Sequence, residues 1–130
     1  WKTISYTASN MYTTGATSPT ITLSSFKVKA NPKLHLISLT GRVTINTTSA
    51  WTTTPGFYFQ LSPLTNVIGS IPSGTDIVAP IACSLANTLE QEMAYIQLTS
   101  SQFRVLQYES VANHRTAGKR VYYLNAMMPY

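Results

Sequence analysis

Four carboxylates, two histidines and one cysteine are the scarce side chains of this sequence best suited to acid–base or metal chemistry near neutral pH. The acids are Asp76, Glu90, Glu92 and Glu109. Paired-carboxylate hydrolysis needs two acids a few ångströms apart, one of them with a raised pKa. Only Glu90 and Glu92 are close in sequence. His35 and His114 are too few for a histidine-based metal site, and no acidic cluster joins them. Cys83 falls in the alternation Ile77, Ala79, Ile81, Cys83, Leu85, which reads as a small buried apolar residue rather than a reactive thiol. Standing alone, it excludes an internal disulfide framework. No nucleophile elbow, Cys–His signature or glycine-rich phosphate loop is present. The expectation is a non-enzymatic domain with no cofactor and no metal.

Residues suited to binding are easier to find. Trp51 sits in a Thr-rich loop, NTTSAWTTTPG, where a large aromatic has no patterned core role. An exposed aromatic face stacks on the apolar face of a sugar ring, with hydroxyls and amides supplying orientation. The alternative is that Trp51 folds back and plugs the end of the core. Asn113-His114-Arg115, with Lys119 and Arg120 beyond, forms a cation cluster able to hold phosphate or carboxylate groups, or else a solvated loop. Tyr108, Tyr122 and Tyr123 lie near it in sequence, and alternation sends Tyr122 and Tyr123 to opposite faces. Trp51, Tyr108, His114 and Arg115 are therefore the candidate ligand-binding residues. The net charge of +5 arises mostly from the shortage of acids. It suits anionic partners, but the basic residues form no single stripe and no nucleic-acid fingerprint accompanies them. Nucleic acid is not an expected partner.

These residues must be positioned by β-structure. Ser and Thr make up 33 of the 130 residues, and Thr, Tyr, Val and Ile favour pleated, half-buried surfaces. Thr3 to Thr7 alternates as a first strand, and Asn10 to Pro19 reads as a polar loop. Thr20 to Ala30 reads as a strand in which Ile21 and Leu23 share one face and Phe26, Val28 and Ala30 take it over. That switch requires a bulge at Ser24-Ser25. Asn31-Pro32 makes a turn. Lys33 to Asn46 is the clearest long strand: His35, Ile37, Leu39, Gly41, Val43 and Ile45 share one face, and Gly41 marks a bend or a close neighbour. His35 reads as a structural residue at its end.

Phe57 to Leu61 is a short strand, and Pro63 to Gly74 is turn-rich with a short strand at Val67-Ile68. Thr75 to Leu85 follows, with Pro80 indicating an edge or bulge. Ala86 to Gln91 has room for one helical turn. Glu92 to Leu98 and Phe103 to Tyr108 form a hairpin across TSSQ. Ser110 to Gly118 is a polar loop, and Lys119 to Met127 is the last strand. The whole reads as one all-β domain over 1–130, an antiparallel sandwich, jelly roll or barrel, long enough to bury a core. No apolar run reaches membrane-spanning length and no signal peptide is recognisable, so membrane insertion is not expected. The start at Trp1 without a methionine suggests the C-terminal fragment of something longer.

In order, LHLISLTGRVTI, IGSIPSGTDIVAPI, MAYIQLTSSQFRVL and RVYYLNAMMPY resemble the C-terminal head domain of phage tail fibre and baseplate receptor-binding proteins. Ile71-Pro72-Ser73-Gly74 with Pro80 resembles that family's elbow, Gly41 its strand glycine, and Tyr130 the end of its terminal aromatic strand. Thr75-Asp76 stands where the family usually has Tyr-Arg-Pro, and the hairpin lacks an Asn-Gly or Asp-Gly turn. The resemblance implies a β-sandwich or jelly-roll-like head assembled as a homotrimer on a virion tail tip, recognising host cell-wall saccharide and contacting other tail or baseplate proteins. It carries over no residues of a binding cleft. Two alternatives share the pattern or the architecture: a trimerisation or docking module of the virion tail that does not touch the host, and a trimeric ligand of the tumour-necrosis-factor-like kind.

Overall fold

The computed structural model describes residues 1–85, 91–108 and 115–130. Its strands are β1 (Lys2–Ile4), β2 (Met11–Tyr12), β3 (Thr20–Asn31), β4 (Leu36–Thr47), β5 (Gly56–Phe59), β6 (Asp76–Leu85), β7 (Gln91–Thr99), β8 (Phe103–Gln107) and β9 (Gly118–Pro129). They join in one antiparallel sheet of order β1-β3-β4-β9-β6-β7-β8-β5-β2. The all-β expectation holds in that form: a single curled sheet.

The curl follows from what the inner face must bury. Ile37, Leu39, Val43 and Ile45 of β4, Ala94, Ile96 and Leu98 of β7, and Tyr122, Leu124 and Met128 of β9 are buried at period two. A sheet with one such face has to cover it with another part of itself. Phe59 of β5 is where the two halves meet. Its ring lies 5.3 Å from Tyr6, which follows β1, and 5.9 Å from Phe26 of β3, although β5 lies toward the opposite edge from β1 and β3. Phe103 stacks on it at 4.3 Å and Phe57 at 5.2 Å edge-on.

The chain also ties the two edges directly. β1 pairs with β3 at one edge, the segment Ser5–Asn10 crosses over, and β2 pairs with β5 at the other. Tyr6 Oη donates to the Gln60 carbonyl oxygen at 2.8 Å, and Gln60 N–H donates to the Asn10 carbonyl oxygen at 2.8 Å.

The bulge foreseen in β3 is present. The β3–β4 register runs Ser24↔Arg42 and resumes at Lys27↔Thr40, and Ser25 takes a left-handed φ of 50°. Gly41, at φ +100°, faces it: a Cβ there would overlap the Ser25 carbonyl oxygen and lie 2.6 Å from Phe26 Cα. Pro80 sits where β6 has a partner on one side only, because β6 pairs with β7 throughout but with β9 only from Ala82 to Leu85. Its missing N–H therefore costs the sheet little.

Three readings need correction. The short strand expected at Val67-Ile68 is a helix, α1 (Ser62–Ile68), with Pro63 in its first turn, where a missing N–H is tolerated, and Leu64 buried against the core. Met11–Tyr12, expected to be loop, forms an edge strand because β5 supplies its hydrogen-bond partner. His35 does not continue the β4 face: it is exposed at φ 52° in the β3–β4 turn, with its ring 5.4 Å edge-on to Tyr130. The helical turn expected at Ala86 to Gln91 lies outside the described residues, apart from Gln91, which begins β7.

Gly41→Ala is expected to cost about 2–4 kcal/mol in urea denaturation, through positive-φ strain plus the collision with β3. Gly69→Ala is also strained, at φ +84° and ψ −172°, but nothing lies within 4 Å of the added Cβ, so it should lose only the backbone part, about 1–3 kcal/mol, and less than Gly41→Ala. Equal losses would assign the whole effect to φ and none to the close approach.

Candidate functional site

The cation cluster expected from sequence is divided by strand alternation. On β9, Arg120, Tyr122 and Leu124 point into the core, while Lys119, Val121 and Tyr123 point out. Arg120 is 1 % exposed; its Nε donates to Gln107 Oε1 at 3.2 Å and its Nη1 to the Thr116 carbonyl oxygen at 2.6 Å. Its guanidinium lies 5.7 Å from the centre of the Trp51 ring, a cation–π distance. Trp51 is 3 % exposed, so its indole does not offer a face to a ligand. It folds back over the buried arginine, which is the second of the two roles open to it from sequence.

Arg115 is brought to Trp51 by backbone rather than by charge. Trp51 N–H donates to the Arg115 carbonyl oxygen at 2.8 Å, and Arg115 Nη1 donates to the Thr52 carbonyl oxygen at 3.1 Å. Thr52 N–H in turn donates to the Gly15 carbonyl oxygen at 2.8 Å, fixing the loop to the N-terminal segment. His114 lies outside the described residues.

Tyr108 is the one sequence candidate among the described residues that presents an aromatic face. It is 52 % exposed at the end of β8, its ring 4.9 Å from that of Tyr95 on β7 and tilted by 48°. The two rings border a shallow cleft of 450 Å³ with Thr54, Val78, Leu106 and Gln107. Thr54 belongs to the same loop as Trp51, so the cleft, the Trp51 loop and Arg115 occupy one end of the sheet. Tyr95 escaped the sequence reading because an outward tyrosine on an alternating strand carries no signal of its own; only the β7–β8 register brings it beside Tyr108.

Two further outer surfaces were not singled out by sequence. The first is mostly apolar: Pro80, Ile81, Ala82, Glu92, Met93, Tyr123 and Asn125 surround a depression of 640 Å³, with Val78 and Met127 exposed beyond it. The second is polar, 400 Å³, formed by Thr20, Thr22 and Ser24 of β3, Arg42, Thr44 and Asn46 of β4, and Lys119, Val121 and Tyr123 of β9.

The inner face of this end holds titratable groups that cannot serve as surface chemistry. Cys83 is fully buried, and desolvation pushes its thiol up to about 12; Arg120 opposes the shift and Glu92 adds to it. Burial also raises the Tyr122 hydroxyl well above its usual value, aided by Cys83 and Glu92 against Arg120. At the opposite end of β5, beside Gln60, Tyr6 is raised by burial as well. Among the described residues no group of three or more His, Cys, Asp or Glu is placed to hold a metal.

Cys83 should resist a water-soluble aromatic disulfide reagent at pH 8 in the native protein and react promptly in denaturant. These three groups also set an alkaline limit. In the unfolded chain they titrate near 9.0 for cysteine and 10.0 for tyrosine, and in the folded chain later. Above pH 9 the unfolded state therefore loses protons first. Stability should be intact below pH 9 and fall steadily from there toward pH 12, as read by denaturation midpoints. Comparison of the chain with protein-family models, with curated proteins and with solved structures finds no match, so function has to be argued from these surfaces.

Proposed function

We propose that this domain is a non-enzymatic receptor-binding head of a phage tail or baseplate that recognises host cell-surface saccharide. The observation that carries the reading is the Tyr95–Tyr108 cleft. A half-exposed tyrosine leaning on a second one, beside the Thr54 hydroxyl, supplies the apolar face and the polar orienting group that a sugar ring needs. The elbow and terminal-strand resemblance supports the virion setting. In this reading the curled sheet packs on itself in the manner of a sandwich or jelly roll.

The second reading is a docking or trimerisation module of the tail, favoured by the outer strip of β6, β7 and β9. Val78, Met93, Tyr123 and Met127 are exposed along a surface with Pro80, Ala82 and Asn125, and Glu92, the charged residue of its described lining, keeps its carboxylate buried. Such a surface suits burial against another subunit, and a homotrimer would use both surfaces at once.

The isolated domain is expected to adsorb to host cell-wall preparations, and Tyr108→Ala to weaken that adsorption at least tenfold while leaving the thermal midpoint unchanged. A domain that sediments as a trimer yet binds no cell wall would favour the docking module.

A further inference from the structure

We infer that the outer face of β3, β4 and β9 is a second binding groove, for a chain carrying negative charge along a hydroxyl-bearing backbone, such as a phosphodiester-linked polyol or a uronic-acid polysaccharide. The choice of a glycan rests on the reading just given; the location and the charge preference do not.

Register defines the groove. Thr20, Asn46 and Lys119 lie side by side at one end, Thr22, Thr44 and Val121 in the middle, and Ser24, Arg42 and Tyr123 at the other end. Arg42 is four positions along β4 from Asn46, the residue opposite Lys119, so the two backbone positions stand about 14 Å apart along the strand direction. Cations set that far apart along a strand suit an extended chain with repeated anionic centres, with the intervening Thr and Asn side chains meeting its hydroxyls.

The charge balance is one-sided. Arg42 and Lys119 are exposed, and neither side chain makes a hydrogen bond or ion pair among the described residues. No carboxylate among the described residues lines the groove. The described acids are occupied elsewhere: Asp76 accepts from Gln97 Nε2 at 2.7 Å, and both Glu92 carboxylate oxygens are buried. Lys27 and Lys29 extend the positive field along the outer face of β3. Cations without counter-charges favour an anionic ligand and give a neutral one no advantage. Arg42 adds the planar fork that matches phosphate or carboxylate oxygens in pairs.

The groove also differs in kind from the Tyr95–Tyr108 cleft. Among the described residues the cleft offers aromatic faces and no charged side chain, whereas the groove offers charge, hydroxyls and a tyrosine at its edge. Tyr123 is held there, its hydroxyl 3.2 Å from Ser84 Oγ.

Calorimetric titration of the whole domain tests the assignment, with a glycerol-phosphate oligomer, an oligogalacturonate and a neutral dextran oligomer, each at 50 and 200 mM NaCl. At least one charged oligomer should bind, and which one binds names the anion. Its affinity should fall roughly seven- to twelvefold over that salt range for two released contacts. Arg42→Gln and Lys119→Gln should each weaken it about fivefold, whereas Tyr108→Ala should leave it unchanged. Both cations are exposed, so an unchanged melting curve confirms that the variants fold. Dextran binding equal to that of the charged oligomers, no binding of either charged oligomer, or insensitivity to both substitutions would overturn the inference. So would equal binding of a single-stranded DNA oligonucleotide. Cell-wall adsorption that still depends on Tyr108 would leave the cleft reading intact in each of those cases.

Discussion

Closure of the curled sheet through its N-terminal segment is the constraint on which the rest of the structure depends. β1 and β2 are consecutive strands at opposite edges of the sheet order. The short crossing Ser5–Asn10 forces those edges together, and Tyr6 enters the core with its hydroxyl bonded across to Gln60. Phe59 then receives rings from β3, β5, β8 and the crossing itself. A flat sheet would leave this face in water. Aromatic pairs contribute about 0.5–1.5 kcal/mol each beyond the area they bury, so the cluster rewards the curl that makes it.

Once the sheet is closed, alternation alone decides what each residue can do. β9 illustrates this within five residues. Lys119, Val121 and Tyr123 face the outer grooves, while Arg120 and Tyr122 join the interior with Cys83. The buried arginine is not a ligand-binding charge. It is held by Gln107, by the Thr116 carbonyl and by the face of Trp51, and it fixes the end of the sheet where the loops meet. The proposed recognition falls to side chains standing outward on strands that the core holds rigid, a better platform than a loop alone.

Much of the fold was legible in the sequence because period-two patterning and backbone punctuation act locally. The β3 bulge, the long β4, the position of Pro80 and the TSSQ hairpin were readable from Ser24-Ser25, Gly41, Pro80 and the spacing of Glu92 to Tyr108. What could not be read depends on partners distant in the chain. β2 exists only because β5 is beside it, and α1 forms in a segment whose prolines and glycines resemble those of turns. The candidate site was legible only residue by residue. Tyr108 is exposed beside Tyr95, Arg115 meets the Trp51 loop, and Trp51 itself turns inward. A cation cluster inferred from sequence proximity fails on a strand because adjacent residues face opposite ways.

The proposed function places glycan binding on the outer surface of this curled sheet, at the Tyr95–Tyr108 cleft, and leaves the buried interior out of it. Amide chemical-shift mapping during titration with oligosaccharides released from the host cell wall tests it most directly. The account predicts shifts confined to Thr54, Tyr95, Leu106, Tyr108 and the outer faces of their strands, with Phe59 and Cys83 unmoved. Shifts centred on the interior around Arg120 and Cys83, or none at saturating oligosaccharide, would contradict it.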